Sequence, residues 1–280
     1  MTPPQQPPHS PFPPRRPPER RRPVLDLLEL DRRGDTRFLA PSPSEGWGRL
    51  YGGQVASQSL RAATLTVDQE RLPHSLHSYF IRPGKPGTAL ELDVELTRDG
   101  RSFSTRSVTA SQEGEPIFTM IASFHRPEDG ENWQEPMSLA GVPGPDDITT
   151  EGGMFSSGWN VGFDMRPLTT EAFRPHPCWV KMVEPIEDDP LLHACALTYI
   201  SDRAVVGSAR APGATFRMAG ASLDHSVWFH RPVRVDQWLY FSVDPVINFG
   251  ARGLARGTFH DTDGVLVASI SQEALLRPTA

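Results

Sequence analysis

Two cysteines, Cys178 and Cys195, are all that the 280 residues contain. That is too few for a disulfide framework, and the pair has neither the C-x-x-C spacing of a redox centre nor that of a zinc site. A reducing, cytoplasmic setting is the expectation. No run of about 18 apolar residues occurs, so no membrane-spanning helix is expected. The chain also lacks G-x-S-x-G, and its nearest fragment, VVGSARAPG at 205–213, is missing the second glycine. A nucleophile-elbow serine hydrolase is therefore disfavoured. Neither G-x-x-x-x-G-K-[ST] nor a G-x-G-x-x-G after a strand is present, which leaves no phosphate-cradling loop for a nucleotide. Positive charge is scarce outside one place. The formal net charge is −6, but residues 1–23 hold five arginines against one glutamate, so the rest of the chain stands at −10. An acidic body is a poor surface for nucleic acid.

Those first 23 residues also hold ten of the 29 prolines and almost nothing that could pack, which reads as a disordered, polyproline-like tail. They lack the apolar stretch of a signal peptide. At the other end, RPTA is not the S-K-L peroxisomal address.

What the chain does contain is an echo. SLHSYFIRP at 75–83 returns as SLDHSVWFHRP at 222–232, and the offset persists along the chain. Tyr51 and Tyr199, His77 and His225, and Ser78 and Ser226 are 148 apart. Arg82–Pro83 and Arg231–Pro232 are 149 apart, and Gly100 and Gly250, Arg106 and Arg256, and Gly114 and Gly264 are 150 apart. An ordered series with so little drift marks a duplicated unit. Each copy reads as one buried helix, over 50–67 and 191–210, followed by a run of strands broken at Asp99–Gly100, Glu113–Gly114 and Asp263–Gly264. This is the order of a hotdog unit, an antiparallel sheet wrapped around a central helix. The expectation is an α+β double hotdog sharing one continuous sheet. Its parts are the tail 1–23, an N-terminal hotdog 24–127, a linker 128–160 and a C-terminal hotdog 161–280.

The histidine pairs His74 and His77, and His225 and His230, are three and five apart in expected strands. They point to opposite sheet faces, so structural hydrogen bonding is a better reading than a metal site. The second copy carries a polar set that the first fills differently. On the offsets above, Asp202 answers to Gln54, Ser222 to His74 and Gln272 to Ala122. A carboxylate, a hydroxyl and an amide can together hold a water and take its proton. Taken singly, each also has an ordinary role: a solvated or capping Asp, a Ser at a turn, a Gln on a wet strand face.

The segments YGGQVASQSL, HSLHSYFIRPG, TRDGRSFSTRSV, PIFTMIASF, YISD, LDHSVWFHRP and DGVLVASISQE together resemble the acyl-CoA thioesterase II family. The resemblance covers about residues 24–277. It implies a double hotdog that hydrolyses fatty acyl-CoA without a metal or redox cofactor. It assigns the Asp of YISD, the hydroxyl residue before LDHS and the Gln of SISQE to the activation of water, which here are Asp202, Ser222 and Gln272. Ser stands where bacterial members often have Thr. The resemblance implies Asp202 ionised as general base and a helix-start N–H as oxyanion donor. Cations for the CoA phosphates are expected among Arg98, Arg101, Arg106, Arg252 and Arg256. The expected partners are an acyl-CoA and, if any protein, a second copy of the chain. A hotdog enoyl-CoA hydratase is a rival reading, but it needs a His a few residues after its Asp, and none follows Asp202 before His225. A non-catalytic acyl-CoA-binding module is the other.

Overall fold

A computed structural model describes residues 23–43, 48–148, 162–169, 171, 174–214 and 218–278. The expected tail over 1–22 lies outside these residues. The strands, in chain order, are β1 Asp31–Arg32, β2 Arg37–Ala40, β3 Leu72–Phe80, β4 Leu90–Asp99, β5 Phe103–Gln112, β6 Glu115–His125, β7 Phe163–Pro167, β8 Cys178–Met182, β9 Met218–Ser222, β10 Asp224–Phe229, β11 Leu239–Phe249, β12 Arg252–His260 and β13 Leu266–Pro278. The helices are α1 Gly52–Thr64, α2 Pro190–Ser201 and the short α3 Val205–Ser208.

All of the described strands join one antiparallel sheet in the order β1-β2-β4-β5-β6-β3-β10-β13-β12-β11-β8-β7, with β9 added to β13. The shared sheet expected from the duplication is present. Its seam is β3 against β10, in the register Tyr79 to Asp224 through Ser75 to Trp228. The long hairpins follow from their turns: Glu113 and Gly114, at φ 53° and 77°, make the tight β5–β6 connection that suits a right-twisted ribbon.

α1 is buried almost all round, including Ser57, Gln58 and Ser59. Gln58 among them is fully engaged. The Gln58 amide donates to the Leu27 and Pro41 carbonyls at 2.9 and 2.8 Å, which ties the segment before β1 to the helix. That segment also reaches the other half: the backbone N–H groups of Val24 and Leu25 donate to Glu184 at 2.9 and 3.2 Å.

Three expectations are corrected. The helix foreseen over 191–210 stops at Ser201. Ala204 turns left-handed at φ 60°, and α3 restarts the coil. Buried Val205 and Ala209 continue the apolar pattern through the break, so hydrophobic periodicity does not mark it. Second, the seam obeys an offset of 149 rather than 148. His77 is exposed and His225 fully buried, whereas Leu76 and His225 are both buried and Tyr79 and Trp228 both exposed. A one-residue slip in a strand exchanges the faces, so the matching His and Ser residues are not counterparts. They are neighbours across the seam: His77 bonds the Ser226 hydroxyl at 3.0 Å, and the Ser78 hydroxyl donates to the His225 carbonyl at 2.7 Å. The same holds for Arg106, which is buried while Arg256 is exposed. Third, Tyr51 and Gln54 open α1, whereas Tyr199 and Asp202 close α2, so neither pair is equivalent in the fold.

Because β3 and β10 satisfy one another's backbone, residues 24–135 expressed alone would present β3 as an open edge. That fragment is expected to be insoluble or self-associated, checked by its elution volume in size-exclusion chromatography. A stable soluble monomer would contradict the shared-sheet account.

Candidate active site

Two helix ends meet at the middle of the molecule, one from each half. α2 begins self-capped, with Pro190 in its first turn and the Asp189 carboxylate accepting from the Leu191 N–H at 2.9 Å. α1 begins at Tyr51 with no side-chain cap of its own. Its orphan N–H at Gly53 is taken instead by Asp202 Oδ2, at 2.8 Å, from the C-terminal end of α2. Beside it the Tyr51 hydroxyl donates to the Tyr199 carbonyl at 2.7 Å. The carboxylate thus sits at the positive end of a helix that belongs to the other half of the chain.

Ser222 ends β9 and Gln272 lies in β13, two ladder steps apart, since Ser222 pairs with Ala274. The Ser222 hydroxyl donates to Asp202 Oδ1 at 3.3 Å, and the Gln272 amide Nε2 donates to Ser222 Oγ at 2.8 Å. All three sequence-predicted residues are therefore in one hydrogen-bonded group. Gln272 is fully buried, so it does not occupy a wet face.

Asp202 differs from its sequence-based picture in two respects. It caps the end of α2 rather than lying within it, and burial pushes its pKa up to about 6. Hydrogen bonds from Gln272, Gly53 and Ser222 and the charge of Arg203 pull in the other direction. A carboxylate with only 6% of its surface exposed pays for desolvation, and the result is a base poised much nearer neutrality than an ordinary aspartate. The expectation of a free helix-start N–H as oxyanion donor also changes at Gly53, whose N–H is committed to the carboxylate.

The first copy has no such group at the matching place. There Leu76 faces Ala122 across β3 and β6, and both are fully buried. On the seam offset these correspond to His225 and Gln272. His74, the expected counterpart of Ser222, bonds Ser123 at 2.7 Å on its own half.

The candidate phosphate cations divide. Arg106 is buried and held by Asp99 at 2.8 Å and by Thr66 at 3.0 Å, so it is committed to the fold. Arg252 pairs with Glu273 at 2.8 Å. Arg98, Arg101 and Arg256 are on the surface. Two residues escaped sequence reasoning. Gly53 falls inside the buried helix expected over 50–67, and the spacing of His225 and His230 points only to structural hydrogen bonding. His225 Nδ1 lies 2.6 Å from Gln272 Oε1, and its Nε2 lies 2.8 Å from Ser201 Oγ. The signal for His225 was present in the Arg-Pro offset, which places a polar residue opposite an apolar Leu76.

The chain as a whole is similar to known proteins. Residues 40–125 match a family model described as acyl-CoA thioesterase N-terminal domain, and residues 160–275 match one described as acyl-CoA thioesterase. The chain is 32% identical to acyl-CoA thioesterase 2 of Haemophilus influenzae, over 91% of this chain and 96% of that protein. It is 34% identical to acyl-coenzyme A thioesterase 8 of Homo sapiens, over 82% and 81%. Among solved structures, acyl-CoA thioesterase II TesB2 from Mycobacterium marinum superposes with a TM-score of 0.79 at 37% identity, covering 92% of this chain and 99% of that one.

Proposed function

The chain belongs to the acyl-CoA thioesterase family and is an acyl-CoA thioester hydrolase, and on that premise we propose that Asp202, Ser222 and Gln272 are its catalytic residues. The observation that supports this reading is the hydrogen-bonded group itself. One carboxylate, raised to about 6, is fixed by a hydroxyl, an amide and a helix-end N–H contributed from both halves.

In this mechanism Ser222 and Gln272 orient a water and Asp202 takes one of its protons as the oxygen attacks the thioester carbonyl. The tetrahedral oxyanion collapses, the C–S bond breaks, and the proton on Asp202 passes to the departing CoA thiolate. The products are a free acid and CoA, with no covalent intermediate. The positive end of α1 favours both the Asp202 anion and the developing oxyanion. The substrates are fatty acyl-CoAs. The location is cytoplasmic, a reading supported by two free, buried cysteines. Among the described residues no helix is long and apolar enough to cross a membrane.

Thiol release from octanoyl-CoA or palmitoyl-CoA, followed with a thiol reagent across pH, tests the assignment. The active form carries an ionised Asp202, so kcat/KM should rise with pH and level off above an apparent pKa near 6. A rate that is flat from about pH 4.5 to 8, or that falls as pH rises through 6, would count against Asp202 as the base.

A further inference from the structure

We infer that His225 is a positioning residue for hydrolysis: its ring fixes which way the Gln272 amide faces and thereby aims the Ser222 hydroxyl at Asp202. This rests on the reading of Asp202, Ser222 and Gln272 as the catalytic group.

Five side chains form a closed circuit that begins and ends on adjacent residues at the end of α2. Ser201 Oγ is 2.8 Å from His225 Nε2, and His225 Nδ1 is 2.6 Å from Gln272 Oε1. Gln272 Nε2 donates to Ser222 Oγ, and Ser222 donates to Asp202. The circuit has a direction. Burial lowers the His225 pKa to about 4, so near neutral pH the ring carries one N–H and one lone pair. When Ser201 gives its proton to Nε2, the remaining N–H is on Nδ1 and must meet an acceptor, which selects the amide orientation with Oε1 toward the ring. Nε2 then faces Ser222 as a donor, and the single Ser222 proton is left for Asp202. With the amide reversed, Oε1 would face Ser222 and draw that proton away from the carboxylate. The other use of the Ser201 proton, toward the Thr198 carbonyl at 2.9 Å, would put the ring N–H on Nε2 and the lone pair on Nδ1, which calls for the reversed amide. The bonds from Gln272 Nε2 to Ser222 and from Ser222 to Asp202 go with the first arrangement. His225 is thus the element on which the polarity of the circuit turns.

The sheet does not require a histidine there. In the other half the corresponding positions hold Leu76 and Ala122, fully buried without any polar partner. The groups acting on Asp202 are Arg203, Gly53, Ser222 and Gln272, with the Tyr51 hydroxyl close by. Those acting on His225 are Gln272 and Ser201, with Ser78 on its carbonyl.

The experiment compares wild type, His225→Leu and His225→Asn with octanoyl-CoA, measuring kcat, KM, the acid limb of kcat/KM and the melting temperature. Leu copies the first half's own solution. It is expected to lower kcat by about 10-fold or more with KM little changed. It should also move the acid limb upward, because Asp202 loses a hydrogen bond that favours its charged form. Asn carries a side-chain N–H about where Nδ1–H lies, so His225→Asn should recover most of kcat and return the limb toward its wild-type position. A His225→Leu enzyme with unaltered kcat overturns the inference. So does a loss of kcat that follows the melting temperature with the limb unmoved, or one that Asn fails to restore. Asp202→Asn in the same assay separates the two levels: if it is fully active, the catalytic assignment fails rather than the role of His225.

Discussion

Asp202→Asn should turn over acyl-CoA about 10²–10⁴-fold more slowly than wild type while binding it about as well, because the exchange keeps size and most hydrogen bonds but removes the proton acceptor. The same variant should be the more stable protein above neutral pH. Asp202 has a folded pKa of about 6 against 3.8 for an unperturbed aspartate, so the folded state favours its protonated form. A raised pKa contributes stability that is present below about pH 4 and lost as pH climbs through 6. Wild type therefore carries an ionised, desolvated carboxylate at pH 8, at a cost of about 1–3 kcal/mol. Asn carries no such charge. Urea denaturation at pH 8 and pH 4 should show Asp202→Asn ahead of wild type at the first and level with it at the second. A variant both fully active and no more stable at pH 8 would remove Asp202 from the mechanism.

Gly53→Ala is expected to be the second most damaging change at the site. A Cβ there would collide with the Tyr199 carbonyl oxygen and stand 2.7 Å from the Tyr51 ring, forcing the start of α1 away from the end of α2. The charge-assisted hydrogen bond from the Gly53 N–H to Asp202 would go with it. Losing about 2 kcal/mol of such an interaction corresponds to about 30-fold in kcat/KM. If the effect runs through Asp202, Gly53→Ala should add much less than 30-fold on top of Asp202→Asn. Independent, fully additive losses would show that the glycine serves packing alone.

The strands carrying the echo were legible because burial on one face forces an alternating pattern and because turns such as Glu113–Gly114 need residues that accept positive φ. The trio was legible for a different reason. Gln272 is polar where the matching half has the buried Ala122, and Asp202 and Ser222 lie in segments, YISD and SLDHS, that carry the family resemblance. The register was not legible to one residue. Matching His77 to His225 rewards identity, while the sheet rewards burial, and in a period of two those criteria disagree completely after a single step. Short strands such as β1, β7 and β9 carry too few residues to show alternation. The contact between Gly53 and Asp202 spans the two halves and leaves no local pattern. The pKa of Asp202 was likewise invisible, since desolvation is a property of the assembled core and not of YISD.

The most direct test of the central claim, that Asp202 activates a water instead of bonding to the acyl group, is a single turnover in H₂¹⁸O with enzyme in excess, followed by mass spectrometry of acid and protein. The account predicts that the first acid released carries one ¹⁸O, with no acyl adduct on the quenched enzyme and no label in the peptide containing Asp202. An unlabelled acid from the first turnover, with ¹⁸O recovered on Asp202 or an acyl-enzyme trapped by the quench, would contradict it.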